Sequence, residues 1–166
     1  MNLYILRHAK AGEHSARFSD DSKRPLTPSG EKEMFRVAKG MRKMDLSFGL
    51  ILSSPFVRAK RTAEIVAEVF KSNKLRLSKN LASGADARDL IKELNNNYLS
   101  VRNILLAGHE PYLSKLISRL CSGDEKFSLH FKKAGLCKLK IGELRFGRCA
   151  TLEWLLTPKQ IALLAK

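Results

Sequence analysis

The feature that most constrains this chain is a repeated junction. A short apolar run stops at polar residues, and apolar positions at helical spacing follow. Leu3-Tyr4-Ile5-Leu6 stops at Arg7-His8, Leu50-Ile51-Leu52 stops at Ser53-Ser54-Pro55, and Asn103 to Ala107 stops at Gly108-His109. Runs this short, bounded by turn and cap residues, read as buried strands. Behind them, Met34, Ala38, Met41 and Met44, then Ala59, Ala63, Val66 and Phe70, then Leu113, Leu116, Ile117 and Leu120 each mark one face of a helix. Strands that alternate with such helices need cover on both faces of their sheet. The expected fold class is therefore α/β, a three-layer α/β/α sandwich with a mostly parallel central sheet.

Finer signals fill in the order. Thr27 can cap a helix that Pro28 opens, and Ser54-Pro55 repeats the same start. Pro111 opens a third helix. Leu75 to Leu77 reads as a short strand, and Leu90, Ile91 and Leu94 as a helix ending in the Asn95-Asn96-Asn97 turn. Leu136 to Ile141 and Cys149 to Leu156 read as two strands flanking a turn around Gly142 to Gly147, with a terminal helix over Gln160 to Ala165. The Met stripe is read as core, with no cofactor implied. No repeat, linker or low-complexity segment divides the 166 residues, so one domain over 1–166 is expected.

Composition excludes several classes. Apolar residues are 44% of the chain, a globular value, and no apolar run approaches the roughly 20 residues a membrane span needs. Arg7 interrupts the only apolar patch near the N-terminus and nothing like a cleavage site follows, so a cytoplasmic location is the expectation. Cys121, Cys137 and Cys149 are scattered, odd in number and form no C-x-x-C pair, which fits reduced thiols. Four dispersed histidines without H-E-x-x-H give no metal site, and His14 and His130 fit no motif. The formal charge is +15. That field attracts anions without selecting among acidic proteins, nucleic acid and phosphate esters.

The chemistry gathers where strands end. In an open α/β sheet, sites form beyond the carboxyl ends of the strands. If the first and fourth strands are neighbours, His8 and His109 face one crevice. Arg7 sits beside His8, and Arg58, in the first turn of the helix after Pro55, can lean over the same space. Two guanidinium groups, two imidazoles and helix N-termini suit a dianionic phosphoryl group. Arginines beside an imidazole favour its neutral form, which keeps a ring nitrogen free to attack phosphorus. Phe18, Phe56 and Tyr112 are candidates for the pocket mouth, although core or rim packing is the commoner use of such residues.

Leu6-Arg7-His8-Ala9-Lys10-Ala11 resembles the Arg-His motif that opens the histidine phosphatase superfamily, the phosphoglycerate mutase-like proteins. Ser53-Ser54-Pro55 with Arg58-Ala59 and Thr62-Ala63 is similar to the second motif of that family, and Gly108-His109 to the third. Arg24-Pro25-Leu26-Thr27, with Gly30 beyond, is similar to a segment of its smaller SixA-type phosphohistidine phosphatases. The four motifs fall in order and at the right junctions, from the N-terminus to about Leu120. The resemblance implies that His8 is the nucleophile, that Arg7, Arg58 and His109 bind phosphoryl oxygens, and that Arg24 contributes to substrate binding. It implies no metal or other cofactor, and a phosphate or sulfate anion as a natural occupant of the pocket.

Two departures matter. Ala9 stands where the family usually has Gly, which the SixA-type subgroup tolerates. The segment Lys79 to Asp86 lacks the early carboxylate with which many members protonate an oxygen leaving group. Asp86 and Asp89 are candidate donors, but both read better as residues that begin a helix. An alkoxide leaving group without a general acid loses something like 10²–10⁴-fold in rate. An imidazole nitrogen protonates near neutral pH and depends less on such an acid. The expected activity is thus removal of phosphate from phosphohistidine in a phosphorelay or phosphotransfer protein, through a phosphohistidine enzyme intermediate. The alternatives are a phosphomonoesterase for a small phosphate ester and a non-catalytic basic module for phosphoprotein or nucleic acid. The chain carries no nucleic-acid motif and little aromatic interleaving, so nucleic acid is not the expected partner, nor is a membrane.

Overall fold

The computed structural model describes residues 1–12 and 20–165. His14 and Phe18, considered above, lie outside the described residues.

Four strands, β1 (Asn2–Arg7), β2 (Leu50–Ser53), β3 (Leu75–Leu77) and β4 (Asn103–Gly108), run parallel to one another. β5 (Leu136–Ile141) and β6 (Ala150–Leu156) complete the sheet as an antiparallel pair, and the spatial order is β3-β2-β4-β1-β5-β6. Alternation along the buried strands divides the core. Leu3 and Ile5 of β1 face α3 (Ala87–Asn97) and α4 (Tyr112–Ser122), with Leu52, Ile104 and Leu106 beside them. Tyr4 and Leu6 face the other way, with Ile51 and Leu105, onto α1 (Pro28–Lys43), α2 (Val57–Phe70) and α5 (Pro158–Leu163). This is the expected α/β/α sandwich. Met34 and Met41 are fully buried in that second core, as the helical spacing predicts.

Most helix starts follow their sequence signals. The Thr27 hydroxyl accepts from the Gly30 amide with Pro28 in the first turn, and Asp86 caps α3 by accepting from the Arg88 amide. The Ser54-Pro55 start is corrected. α2 begins at Val57 with Phe56 at its cap and no side-chain cap bond. The Ser54 hydroxyl is drawn instead towards His109 by a bond across the crevice. The Asn95-Asn96-Asn97 turn is also corrected: those residues are the last three of α3, with Tyr98 at its C-cap. The terminal helix starts earlier than expected, at Pro158, because Thr157 and Gln160 form a capping box around that proline. Among the described residues, no helix is long and apolar enough to cross a membrane.

β1 passes into α1 on one face of the sheet, and its neighbour β4 passes into α4 on the other. The sheet thus has a topological switch point between β1 and β4, where a crevice opens at the carboxyl ends of the strands.

Candidate active site

β1 and β4 pair with Arg7 opposite Gly108, so His8 and His109 leave the sheet side by side. Their ring centroids are 5.2 Å apart. β2 lies on the far side of β4, with Ser53 opposite Ala107, and delivers Ser54 and then Arg58 to the same edge. His8, His109 and Arg58 are all buried.

Backbone and side-chain bonds select one tautomer of His8. Nδ1 lies 2.7 Å from the Ala9 carbonyl, which can only accept, so Nδ1 carries the proton. Nε2 keeps its lone pair and receives the Nε–H of Arg58 at 3.3 Å. Thr62 ties the two residues together. Its hydroxyl accepts from the Ala9 amide at 3.1 Å and donates to the Arg58 carbonyl at 2.7 Å. Burial is the main reason that the His8 pKa is lowered to about 3. The charges of His109, Arg58 and Arg7 act in the same direction, against the Ala9 carbonyl. The imidazole is therefore neutral at physiological pH, with Nε2 available as a nucleophile.

His109 is oriented by its other neighbours. The Phe56 amide donates to Ser54 Oγ at 3.3 Å, and Ser54 Oγ lies 2.8 Å from His109 Nε2. The 2.8 Å separation fits a bond in either direction, and the tautomer that leaves Nδ1 as a donor is the one in which the Ser54 hydroxyl donates to Nε2. The Phe56 ring lies 5.0 Å from the imidazole and 5.4 Å from the Arg58 guanidinium carbon, so Phe56 does flank the site. Tyr112 belongs to the core, where its hydroxyl donates to the Asn80 carbonyl. Burial lowers the His109 pKa to about 4, helped by Arg58, Arg24 and Arg7 and opposed by Asp21.

Arg7 is anchored through Nη1 on the Phe131 carbonyl at 2.5 Å. Arg24, an intermediate position by exposure, binds the Gly12 carbonyl at 3.0 Å and Asp21 at 2.8 Å. Buried side-chain nitrogens without a protein partner among the described residues are Arg7 Nε, Arg24 Nε, His109 Nδ1 and Arg119 Nε. Three of these four belong to residues singled out from the sequence. A buried donor left unpaired costs about 1–3 kcal/mol. An oxyanion among these groups supplies the acceptors they need, so the donor set fits a phosphoryl group.

Asp21 is the residue that sequence reasoning missed. Its carboxylate accepts from Arg58 Nη2 at 2.7 Å while its backbone carbonyl accepts from Arg58 Nη1 at 2.6 Å. The other carboxylate oxygen holds Arg24. Partial burial alone would raise its pKa, but the hydrogen bonds and charges of Arg58 and Arg24 outweigh this and hold it below the usual carboxylate value. The Asp-x-x-Arg spacing to Arg24 was visible in the sequence, whereas the bond to Arg58 depends on tertiary contact. Asp86 and Asp89 are exposed: Asp86 caps α3, and Asp89 pairs with Lys92 on its outer side. Glu110 caps α4 through the Ser114 amide and hydroxyl.

The Histidine phosphatase superfamily (branch 1) profile matches residues 3–84, which include His8 and Arg58. An uncharacterised protein of Picosynechococcus sp. is 32% identical over 146 residues, covering 87% of this chain and 88% of that one. The phosphohistidine phosphatase SixA of Escherichia coli K12 is 27% identical over 169 residues, covering 95% and 94%. The solved structure of the protein histidine phosphatase SixA complexed with tungstate superposes with a TM-score of 0.83 at 25% identity, covering 96% of this chain and 98% of that one. With His8 and Arg58 inside the matched segment and the whole fold shared, the chain belongs to the histidine phosphatase superfamily and is a phosphatase that works through a histidine intermediate.

Proposed function

We propose that this protein, acting as one domain over residues 1–166, removes phosphate from phosphohistidine in a phosphorylated protein. His8 Nε2 attacks phosphorus, forming an N–P bond as the substrate's N–P bond breaks, and the departing ring, already protonated from solvent at its other nitrogen, leaves as neutral imidazole. Arg7, Arg58 and the Nδ1–H of His109 carry the charge on the equatorial oxygens, with Arg24 at the edge of the substrate site. Water then attacks the phosphorus on His8. Inorganic phosphate leaves, Nε2 recovers its lone pair and a proton goes to solvent.

The observation that carries the choice of substrate is the state of the acids. Among the described residues, Asp21 is the carboxylate bonded to the phosphate-binding arginines, and those arginines keep it ionised. An ionised carboxylate has no proton to give to an alkoxide. Asp86 and Glu110 are committed to capping helices. A leaving group that protonates near neutral pH is the one this arrangement serves.

The test is a rate comparison between a phosphohistidine protein and a panel of phosphomonoesters under identical conditions. The proposal expects the phosphohistidine protein to be favoured in kcat/KM by about 10²-fold or more, the scale of a missing general acid. Faster turnover of simple phosphomonoesters would assign the protein to small-metabolite chemistry instead.

A further inference from the structure

The catalytic crevice uses few of the positive charges, and one group of the remainder is organised. Two neighbouring hollows on the α1 side of the molecule are both lined by Glu33 and Arg36, and together they form a grooved strip of surface. Its charged lining is Lys10, Lys32, Arg36, Lys39 and Lys159, against the single acid Glu33. All five cations are exposed, and none forms an ion pair among the described residues. On the neighbouring α2, by contrast, Arg61 is shared among Glu31, Glu64 and Glu68. Lys32, Arg36 and Lys39 recur at helical spacing along one face of α1, a strip of about 10 Å. Unpaired like charges in a row repel one another, an arrangement that an acidic partner relieves.

The groove has a direction. It starts at Lys10, two residues after the nucleophile, where the backbone crosses the start of α1: the Lys10 carbonyl accepts from the Thr27 amide at 2.9 Å. It ends where α5 lies on α1, beside Leu163, which is 56% exposed. A row of cations that runs from Lys10, two residues after His8, to an exposed leucine matches an amphipathic acidic segment.

We propose that this groove docks an acidic, helix-forming segment of the phosphorylated substrate protein, flanking the residue whose phosphate enters the His8 crevice. The proposal rests on the phosphohistidine reading above and names the chemistry of the protein that carries the group. The surface is concave, which suits a helix better than a bilayer plane. Its lining holds no aromatic side chain on which a base could stack, which disfavours single-stranded nucleic acid.

The test uses two fluorescent peptides with the same central phosphohistidine, one flanked by a Glu/Leu helix and one by a neutral Gln/Leu helix. At low salt the acidic peptide should have kcat/KM about tenfold above the neutral one, a gap that shrinks as salt is added. K32E/R36E/K39E should abolish the gap, and K32Q/R36Q/K39Q should reduce it. Both variants should hydrolyse phosphoramidate, which is too small to reach the groove, at the wild-type rate, and this also reports that they fold. Equal kcat/KM for the two peptides, or a gap that survives the charge reversal, overturns the proposal. If neither peptide is hydrolysed, the phosphohistidine reading has failed, and docking is read from anisotropy of the unphosphorylated peptides. Preferential binding of the acidic peptide that K32E/R36E/K39E removes then supports the groove, and equal binding overturns it. Tighter groove-dependent binding of phosphatidylserine vesicles or a short single-stranded DNA than of the acidic peptide would overturn the assignment to a protein partner.

Discussion

At the scale of the residue, nucleophilic attack depends on which nitrogen of His8 carries the proton and when. Nδ1 is committed to the Ala9 carbonyl, and burial holds the ring neutral with a pKa of about 3. Two consequences follow. In phosphate-free buffer, an NMR titration should show His8 neutral, with its proton on Nδ1, down to about pH 5, well below the ordinary histidine value near 6.5. A His8 midpoint near 6.5 would contradict the geometry. The sign for stability follows by linkage. The unfolded chain takes up a proton on this residue below about pH 6.5, while the folded chain does not until its lower pKa of about 3. Burial of His8 therefore costs nothing above the unfolded pKa, and stability falls as the pH drops from there towards the folded value. His109, lowered to about 4, acts in the same sense. His8, His109, Arg7 and Arg58 were legible in the sequence because each stands at a strand end or in a first helical turn, whereas Arg24 was legible only through the family resemblance. Asp21 was not, since its bond to Arg58 joins residues 37 apart in sequence. Nor was the role of Ser54, whose sequence context offers a helix cap while the folded chain offers it His109.

At the scale of the element, the site depends on how closely α1 approaches the segment after β1. Gly30 permits that approach. A Cβ there would lie 2.2 Å from the Lys10 carbonyl oxygen and within 3.1 Å of two further backbone atoms of Lys10. Backbone cannot rotate aside, so Gly30→Ala must move either the helix or the strand exit that carries His8. The gain in helix propensity, about 1 kcal/mol, is smaller than the clash. We expect a net loss of about 1–3 kcal/mol, read as a fall in Tm of about 2–4 °C per kcal/mol, together with a lower kcat. Gly142→Ala serves as the comparison, because a Cβ there meets nothing within 4 Å. An unchanged Tm and kcat in Gly30→Ala would show that the approach is not what places His8. This contact explains the partial legibility of the elements. The alternation of strands and helices and the caps at Thr27 and Asp86 are local signals that survive in the fold. The start at Ser54-Pro55 shifted because Ser54 finds a tertiary partner in His109, and at the end of α3 the Asn95 side chain donates to the Leu144 carbonyl instead of shaping a turn.

At the scale of the whole molecule, the chain combines the candidate catalytic crevice at the β1–β4 switch point with a charge of +15. The proposed function gives Arg7, Arg24 and Arg58 a role in the crevice, and the proposed docking groove along α1 uses a further set that forms no ion pair among the described residues. The fold class was legible because a parallel sheet of short apolar strands needs helices on both faces. The position of β5 and β6 as an antiparallel edge beside β1 was not, since their sequences specify strands without specifying neighbours. The central claim is that a phosphoryl group passes through His8, and the most direct measurement is to trap it. Protein incubated briefly with a labelled phosphohistidine donor and quenched in base should carry label that is stable to base, lost in acid and located by peptide mapping at His8. His8→Ala should carry none and should lose turnover. Label on another residue, or turnover that survives His8→Ala, would contradict the account.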